Sequence, residues 1–197
     1  MTVSEDQFCK LREQCGDQSS WAVWNGADDR GRFKCPLDIL DPTINRDLIS
    51  SLNNNYIFLG LNISKPIEKP LANFHPMAWK HENNRLDLVL RGTKFWGSYM
   101  TDLVRQVVKA NGADLQRRIR QDPKLLVDGI KALKADIEIL RMDKPIIFAL
   151  GAICHNQLTS KDLPSSWRIH RLTHYAARMG TNNYVARVQN ELATAGV

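Results

Sequence analysis

Short apolar runs that end in glycine or in a polar residue mark the predicted strands of this chain. Residues 56–61 and 145–150 each contain four or more consecutive apolar residues beside a glycine, Gly60 or Gly151. Such runs are typical of strands that are buried on both faces of a sheet. Residues 98–101 predict another short strand, and the alternating pattern of residues 168–173 predicts a fourth.

Helical spacing separates these strands. From Leu126 to Leu140, leucine and isoleucine recur every three or four residues, which predicts one amphipathic helix. Asp41 and Pro42 are typical of a helix start, so a helix is predicted to begin there and to end at residues 53–55. Further helices are predicted over residues 103–108, residues 152–158 and from residue 181 onward. Residues 1–20 look polar and irregular apart from one helical turn around Phe8 and Leu11.

The alternation of helices and strands predicts a three-layer α/β/α domain around a mainly parallel, four-stranded sheet. We expect residues 1–197 to form one domain, with residues 1–40 as an N-terminal extension packed on it. Residues 63–97 show little periodicity but contain several aromatic residues, which predicts an ordered loop that helps to build a site. Ligands bind at the carboxyl ends of strands in such sheets, where Asn62, Asp102 and His174 are expected.

The amino-acid composition limits the kinds of molecule that this protein is expected to bind. The net charge of +6 and the pI near 9.3 favour an anionic partner, with nucleic acid as the first candidate. No apolar run approaches the ~18 residues that would span a bilayer, and the first ten residues lack an apolar signal core, so we expect a cytoplasmic protein without membrane contact. The four cysteines form no C-x-x-C pair. We therefore expect no metal and no other cofactor, the alternative being a cysteine cluster around a metal or an iron–sulfur centre.

Separate patches between about residues 56 and 184 resemble the uracil-DNA glycosylase superfamily. Residues 60–64, Gly-Leu-Asn-Ile-Ser, resemble the first motif of the mismatch-specific and single-strand-selective branches, Gly-x-Asn-Pro-Gly. Phe74, followed by His75, comes after Asn62 at about the offset of the family's base-stacking aromatic residue. Residues 99–104, 150–152 and 174–178 resemble the base-reading strand end Tyr-Ile-Thr-Asn-x-Val, the Leu-Gly-x strand end and the second catalytic motif, His-Pro-Ser-Pro-Arg.

This resemblance implies a monomeric DNA glycosylase that flips a damaged or deaminated base into a pocket. It would hydrolyse the N-glycosidic bond without a metal, on single- or double-stranded DNA. Asn62 would position the attacking water, and His174 would donate a hydrogen bond to the departing base. The implied base-binding residues are Gly60, Leu61, Phe74 and Asp102, and the implied DNA-binding residues are Ser64, His75 and Arg178.

The motifs also depart from the family pattern. Ile63 and Ser64 replace Pro-Gly, Tyr175 and Ala176 replace Pro-Ser, and Asp102 replaces the base-reading Asn. An ionised Asp only accepts hydrogen bonds, whereas a protonated Asp regains a donor, and burial raises the pKa of a carboxyl group. No acidic residue in the first motif can activate the water. A catalytically inactive member that binds DNA or a protein is therefore the alternative function.

Each candidate residue also has a structural alternative. Asn62 could bond only to local backbone, Phe74 could be a core residue, Asp102 could cap a helix at Leu103, and His174 could be purely structural. Arg178 could be an ordinary surface residue, and the basic run over residues 117–120 is interpreted as a solvated helix face. An unrelated nucleotide hydrolase or transferase is a third hypothesis, although the chain has no P-loop, dinucleotide fingerprint or nucleophile elbow.

Overall fold

The fold is taken from a computed structural model that describes residues 2–26, 37–63, 66–67, 69–75, 84–108 and 112–196. Its strands are β1 (Ser19–Trp21), β2 (Asn53–Asn62), β3 (Ser98–Val104), β4 (Ile146–Leu150) and β5 (Arg168–Leu172). Its helices are α1 (Glu5–Cys15), α2 (Leu48–Ser51), α3 (Asn84–Leu90), α4 (Gly112–Gln121), α5 (Lys124–Leu140), α6 (Ala152–Thr159) and α7 (Thr181–Thr194), and a short 3-10 helix covers Leu37–Leu40.

The five strands form one sheet in the order β1-β3-β2-β4-β5. Four of them are parallel, and β1 pairs antiparallel with β3 at the edge. The predicted three-layer α/β/α fold with a mainly parallel sheet is confirmed, and the predicted strand number of four is corrected to five. The chain passes from β2 to β3 on one side and then crosses to β4 on the other. This reversal creates a topological switch point between β2 and β4, where open α/β sheets bind ligands.

Both faces of the sheet are covered, as the apolar strands predicted. On β2, Ile57 and Leu59 pack into a core shared with α1, α5 and α6, whereas Tyr56 and Phe58 pack into the opposite core with α3 and α7. The side chains alternate in this way because successive residues of a strand point to opposite faces. The sheet is thus packed on both faces, and the loops at its carboxyl edge extend from buried strands.

The N-terminal residues are more regular than the sequence suggested. Residues 5–15 form three helical turns, whereas one turn around Phe8 and Leu11 was predicted. The missed signal is a capping box, in which the Ser4 hydroxyl accepts from the Gln7 backbone N–H at 3.2 Å and the Gln7 side chain accepts from the Ser4 N–H at 2.9 Å. The helix is tied to α5, because Gln7 Nε2 donates to the carbonyl oxygen of Ile139 at 2.9 Å.

Two other predicted helices are wrong. The helix that was expected to begin at Asp41 is reduced to α2, because the Asp41 carboxylate accepts from the backbone and hydroxyl of Thr43 and closes a local turn. Ile44 is 62% exposed, and residues 53–55 begin β2. Over residues 103–108, Leu103 and Val104 complete β3, and no helix follows before α4 in the described residues. The described part of residues 63–97 also contains α3, which was predicted as loop.

Within the described ranges, no helix combines the length and apolar character needed to span a membrane.

Candidate functional site

A pocket of about 410 Å³ opens at the carboxyl edge of the sheet, within the size range of about 300–1,000 Å³ that is usual for small-molecule sites. It lies at the switch point, and its wall combines strand ends, the first turn of α6 and the loop after β5. The lining residues are Gly60, Leu61, Asn62, Asp102, Gly112, Leu150, Gly151, Ala152, Ile153, Cys154, His174 and Tyr175. Three polar side chains that the sequence singled out, Asn62, Asp102 and His174, therefore share one pocket.

Gly60 lies inside β2, directly opposite Asp102 in the pairing with β3. A Cβ atom on residue 60 would overlap with Asp102 Oδ1 and would come within 3.1 Å of Phe74 Cζ. The missing side chain therefore makes room for the carboxyl group and for the aromatic ring. This packing is the physical reason for a glycine at position 60.

Asp102 is 3% exposed and lies within β3, whereas the sequence placed it just after a strand. Because β3 continues through Leu103 and Val104, helix capping, which was named as the structural alternative for Asp102, is wrong. Its Oδ2 accepts a hydrogen bond from Asn73 Nδ2 at 2.8 Å. Burial raises the pKa of Asp102 to about 7, against the opposing effects of the Asn73 hydrogen bond and the Arg105 charge. Near neutral pH this carboxyl group is therefore present in both the neutral and the ionised form.

A buried polar cluster supports the end of β3. The Arg105 guanidinium forms an ion pair with Asp136 of α5, and the Tyr99 hydroxyl donates to Asp136 Oδ2 at 3.0 Å. Arg105 Nε donates to the backbone carbonyl oxygen of Asp102 at 3.2 Å. Both charged groups are paired and hydrogen-bonded, as buried charges must be. The cluster holds the backbone of Asp102 in place beneath the pocket.

His174 lies two residues beyond β5. Its Nδ1 accepts a hydrogen bond from the backbone N–H of Ala176 at 3.0 Å, so the proton of the neutral imidazole is on Nε2. The side chain packs over Gly151, where a Cβ atom would lie 3.3 Å from His174 Cβ. Gly151 has a φ of 92°, which a glycine adopts without strain. The site thus presents a histidine whose tautomer makes Nε2 a hydrogen-bond donor.

The loop that carries His174 is clamped from two helices. The Arg85 guanidinium of α3 donates to the carbonyl oxygens of Tyr175, Ala177 and Met179 at 3.1, 3.0 and 2.9 Å. The Glu191 carboxylate of α7 accepts from the backbone and the hydroxyl of Thr173, both at 2.7 Å. Sequence reasoning missed Arg85 and Glu191. Arg85 lies about 90 positions from the carbonyl groups that it binds, so no local pattern could have found it.

Phe74 is 5% exposed and packs in the core beneath the pocket. Its φ of 63° is unusual for a large side chain and marks local backbone strain. Its ring meets the ring of Tyr175 edge to face, with 6.4 Å between the centroids. Tyr175, half-buried, lines the pocket beside His174. Sequence reasoning noted Tyr175 only as a departure from the family motif, although its place directly after His174 was a usable signal.

Asn62 ends β2, and its Nδ2 donates to the carbonyl oxygens of Ile63 at 3.2 Å and Val107 at 3.3 Å. These bonds are the local backbone contacts that were named as its structural alternative. They also orient the amide group at the rim of the pocket. Leu61, before it in the strand, provides apolar wall.

Of the three residues predicted to contact DNA, the structure describes His75 and Arg178, and these two differ in exposure. His75 is 3% exposed, stacks on Trp24 with 5.3 Å between ring centroids, and has Nε2 at 3.1 Å from the Trp21 carbonyl oxygen. Burial lowers the pKa of His75 to about 4, which favours a core role over a phosphate contact. Arg178 is exposed in the loop before α7, and Ser64 lies outside the described residues. The basic residues 117, 118 and 120 are exposed on α4, as predicted.

Cys154 is buried in the pocket wall, where its thiol lies 3.4 Å and 3.3 Å from the carbonyl oxygens of Leu59 and Gly60. Burial, and next the charge of Asp102, raise the pKa of Cys154 above its ordinary value, so the thiol stays neutral. In the described part of the chain, no group of three or more His, Cys, Asp or Glu side chains could hold a metal ion. Cys35 lies outside that part.

The comparisons with known proteins leave the site to be interpreted from its own geometry. No protein-family model matches this sequence, and a search of curated proteins finds no significant match.

Proposed function

We propose that this protein is a DNA glycosylase that resembles the uracil-DNA glycosylase superfamily. It flips a damaged or deaminated base into the pocket and hydrolyses the N-glycosidic bond without a metal. The observation that carries this proposal is the meeting of Asn62, Asp102 and His174 in one pocket at the carboxyl edge of a parallel sheet. The net charge of +6 supports a polyanionic substrate.

Hydrolysis of the N-glycosidic bond requires chemical groups that are present in this pocket. When the bond between base and sugar breaks, negative charge grows on the base and positive charge on the sugar. The Nε2–H of His174 can donate to the oxygen on which that negative charge develops, and the first turn of α6, the positive end of that helix dipole, lines the same pocket. Asn62 holds the attacking water at the rim, and Asp102 binds the edge of the base.

The less polar part of the pocket wall accommodates the base. Tyr175 and Leu61 offer apolar surface against which a planar ring can pack. The hydrogen bonds from Arg85 to the loop after β5 hold Tyr175 and His174 in place relative to the sheet. The Nε2–H donor of His174 is therefore preorganised before the base enters. Preorganised donors stabilise a transition state because they need no reorientation during the reaction.

Base binding without cleavage is the second candidate function. One observation favours it, because the Nδ2 group of Asn62 is already bonded to the carbonyl oxygens of Ile63 and Val107. The first motif also contains no carboxylate that could act as a base toward water. A protein of this kind would recognise a modified base in DNA and leave its removal to another enzyme.

A single-turnover assay separates the two functions. The protein is incubated with oligonucleotides that carry a panel of deaminated and damaged bases, and abasic sites are then revealed by alkaline cleavage. For a glycosylase, His174→Ala lowers the cleavage rate by about a hundred- to a thousandfold, since losing one donor to a transition-state charge costs about 2.7–4 kcal/mol. DNA binding is retained, because phosphate contacts carry most of the affinity.

His155→Ala is the matched control, since His155 lies on α6 and does not line the pocket. A rate that is unchanged in His174→Ala removes this residue from the mechanism. If the wild-type protein binds DNA and cleaves none of the bases, the binding function replaces the proposed glycosylase.

A further inference from the structure

The two oxygen atoms of the Asp102 carboxyl group have different surroundings. Oδ2 accepts the hydrogen bond from Asn73 Nδ2 at 2.8 Å. Oδ1 lies against Gly60, which lines the pocket, and it has no hydrogen-bond partner among the residues that the structure describes. The oxygen at the pocket is therefore the one that remains for a ligand.

The orientation of the Asn73 amide group follows from its other bonds. Its Oδ1 accepts from the backbone N–H of Phe74 at 3.1 Å, and its Nδ2 donates to the carbonyl oxygen of Gln18 at 2.9 Å. If the amide were flipped, its oxygen would face the Gln18 carbonyl oxygen and Asp102 Oδ2, which both accept, and both hydrogen bonds would be lost. Asn73 can therefore only donate to Asp102. When Asp102 is neutral, its carbonyl oxygen is Oδ2 and its hydroxyl is on Oδ1.

This asymmetry matters for recognition. A carboxylic acid without such a neighbour can place its proton on either oxygen, so it can match a base edge in either order of donor and acceptor. We propose that Asn73 is a positioning residue that fixes the hydroxyl of Asp102 at Oδ1, so that the pocket, while Asp102 is protonated, accepts a nucleobase with a carbonyl oxygen there and rejects one with an exocyclic amine. The inference rests on the proposed binding of a base, but it does not require cleavage of the base.

The groups around Asp102 make this recognition dependent on pH. Arg105, directly after β3, is paired with Asp136 of α5, Cys154 of α6 is a neutral thiol, and His174 also lines the pocket, with its Nδ1 accepting from the backbone N–H of Ala176. Burial raises the pKa of Asp102 to about 7. A base with a carbonyl oxygen needs the protonated form, so its binding is complete below pH 7 and is lost above it. Between pH 6 and pH 8 the protonated fraction, and with it the affinity, falls about tenfold.

The test measures the equilibrium binding of free uracil and free cytosine to the full chain, by chemical-shift titration at pH 6 and pH 8. The wild-type protein is expected to prefer uracil at pH 6 and to lose about tenfold of its uracil affinity at pH 8. In Asp102→Asn, Asn73 holds the new amide oxygen and the new amide nitrogen takes the place of Oδ1. This variant is therefore expected to keep the preference for uracil and to lose the dependence on pH.

Asn73→Ala is expected to bind both bases with similar affinity, because the carboxyl group is no longer fixed in one orientation. Asn190→Ala, which changes an exposed amide of α7, serves as the matched control and keeps the wild-type preference. If Asn73→Ala does not fold, the pH profile of Asp102→Asn decides the question alone. A tenfold pH dependence that persists in Asp102→Asn overturns the proposal.

Equal binding of uracil and cytosine by the wild-type protein at pH 6 also overturns it, as does binding of neither base. A uracil preference that is unchanged in Asn73→Ala has the same consequence. Because the measurement contains no DNA cleavage, these outcomes are distinct from a failure of the glycosylase proposal, which appears only in the single-turnover assay.

Discussion

Gly60→Ala tests the packing on which the pocket depends. The new methyl group would overlap with Asp102 Oδ1 and would lie 3.2 Å from Asp102 Cγ and 3.1 Å from Phe74 Cζ. The carboxyl group is buried and held by the Asn73 hydrogen bond, so it must shift from this position to make room for the methyl group. Overpacking of this kind costs about 1–3 kcal/mol. The stiffer unfolded chain of the alanine variant offsets about 0.4–1 kcal/mol of this.

The expected net loss is thus about 1–2 kcal/mol, or a fall of about 2–8 °C in Tm for a chain of this length. Urea denaturation followed by circular dichroism measures the loss, and the same experiment in an Asp102→Ala background provides the control. In that background the overlap with the Asp102 carboxyl group is removed while the contact with Phe74 remains, so the cost should fall by about 1 kcal/mol or more. An equal cost in both backgrounds, or a stabilised Gly60→Ala protein, would refute the account of why residue 60 is glycine.

Three further predictions concern residues that support the site. Asp136→Ala leaves the buried Arg105 guanidinium without its carboxylate and should lower the free energy of unfolding by about 3–5 kcal/mol in urea titrations. The control is Lys10→Ala, which breaks an exposed ion pair and should lower the free energy of unfolding by less than about 1 kcal/mol. Arg85→Lys keeps the charge but cannot reach three carbonyl groups, so amide hydrogen exchange in the loop after β5 should become about tenfold faster, with α1 unchanged as the internal reference. The stability that Asp102 contributes should decline as the pH rises from about 4 to about 7, because the native Asp102 holds its proton more tightly than the unfolded one, whereas the lowered pKa of buried His75 acts in the opposite direction below about pH 6.5. Parallel urea titrations of wild type and Asp102→Asn at pH 5 and pH 8 isolate the Asp102 contribution, and the same pH dependence of stability in both proteins would contradict the raised pKa.

The elements that the sequence predicted well are those with a strong local pattern. The continuous apolar runs became β2 and β4, the alternating run became β5, and the long periodic run became α5. A strand covered on both faces can contain almost only apolar residues, and a helix covered on one face must repeat every three or four residues. These two constraints act within a few residues, so they are readable without coordinates. These constraints were also enough to predict the α/β layering and the positions of Asn62 and His174 near strand ends.

Long-range contacts decided the rest. Leu103 and Val104 suit a helix or a strand equally well by composition, and pairing with β2 and the packing of α5 made them strand. The orientation of Asp102 depends on Asn73, which is 29 positions away, and the loop that carries His174 depends on Arg85, which is about 90 positions from its partners.

Such contacts leave no periodic trace, because one residue at each end is enough to make a hydrogen bond. The sequence therefore predicted which chemical groups approach the edge of the sheet. Only the tertiary structure decided which oxygen of the carboxyl group, which tautomer of the imidazole and which aromatic ring face the pocket, because these depend on neighbours brought together by folding.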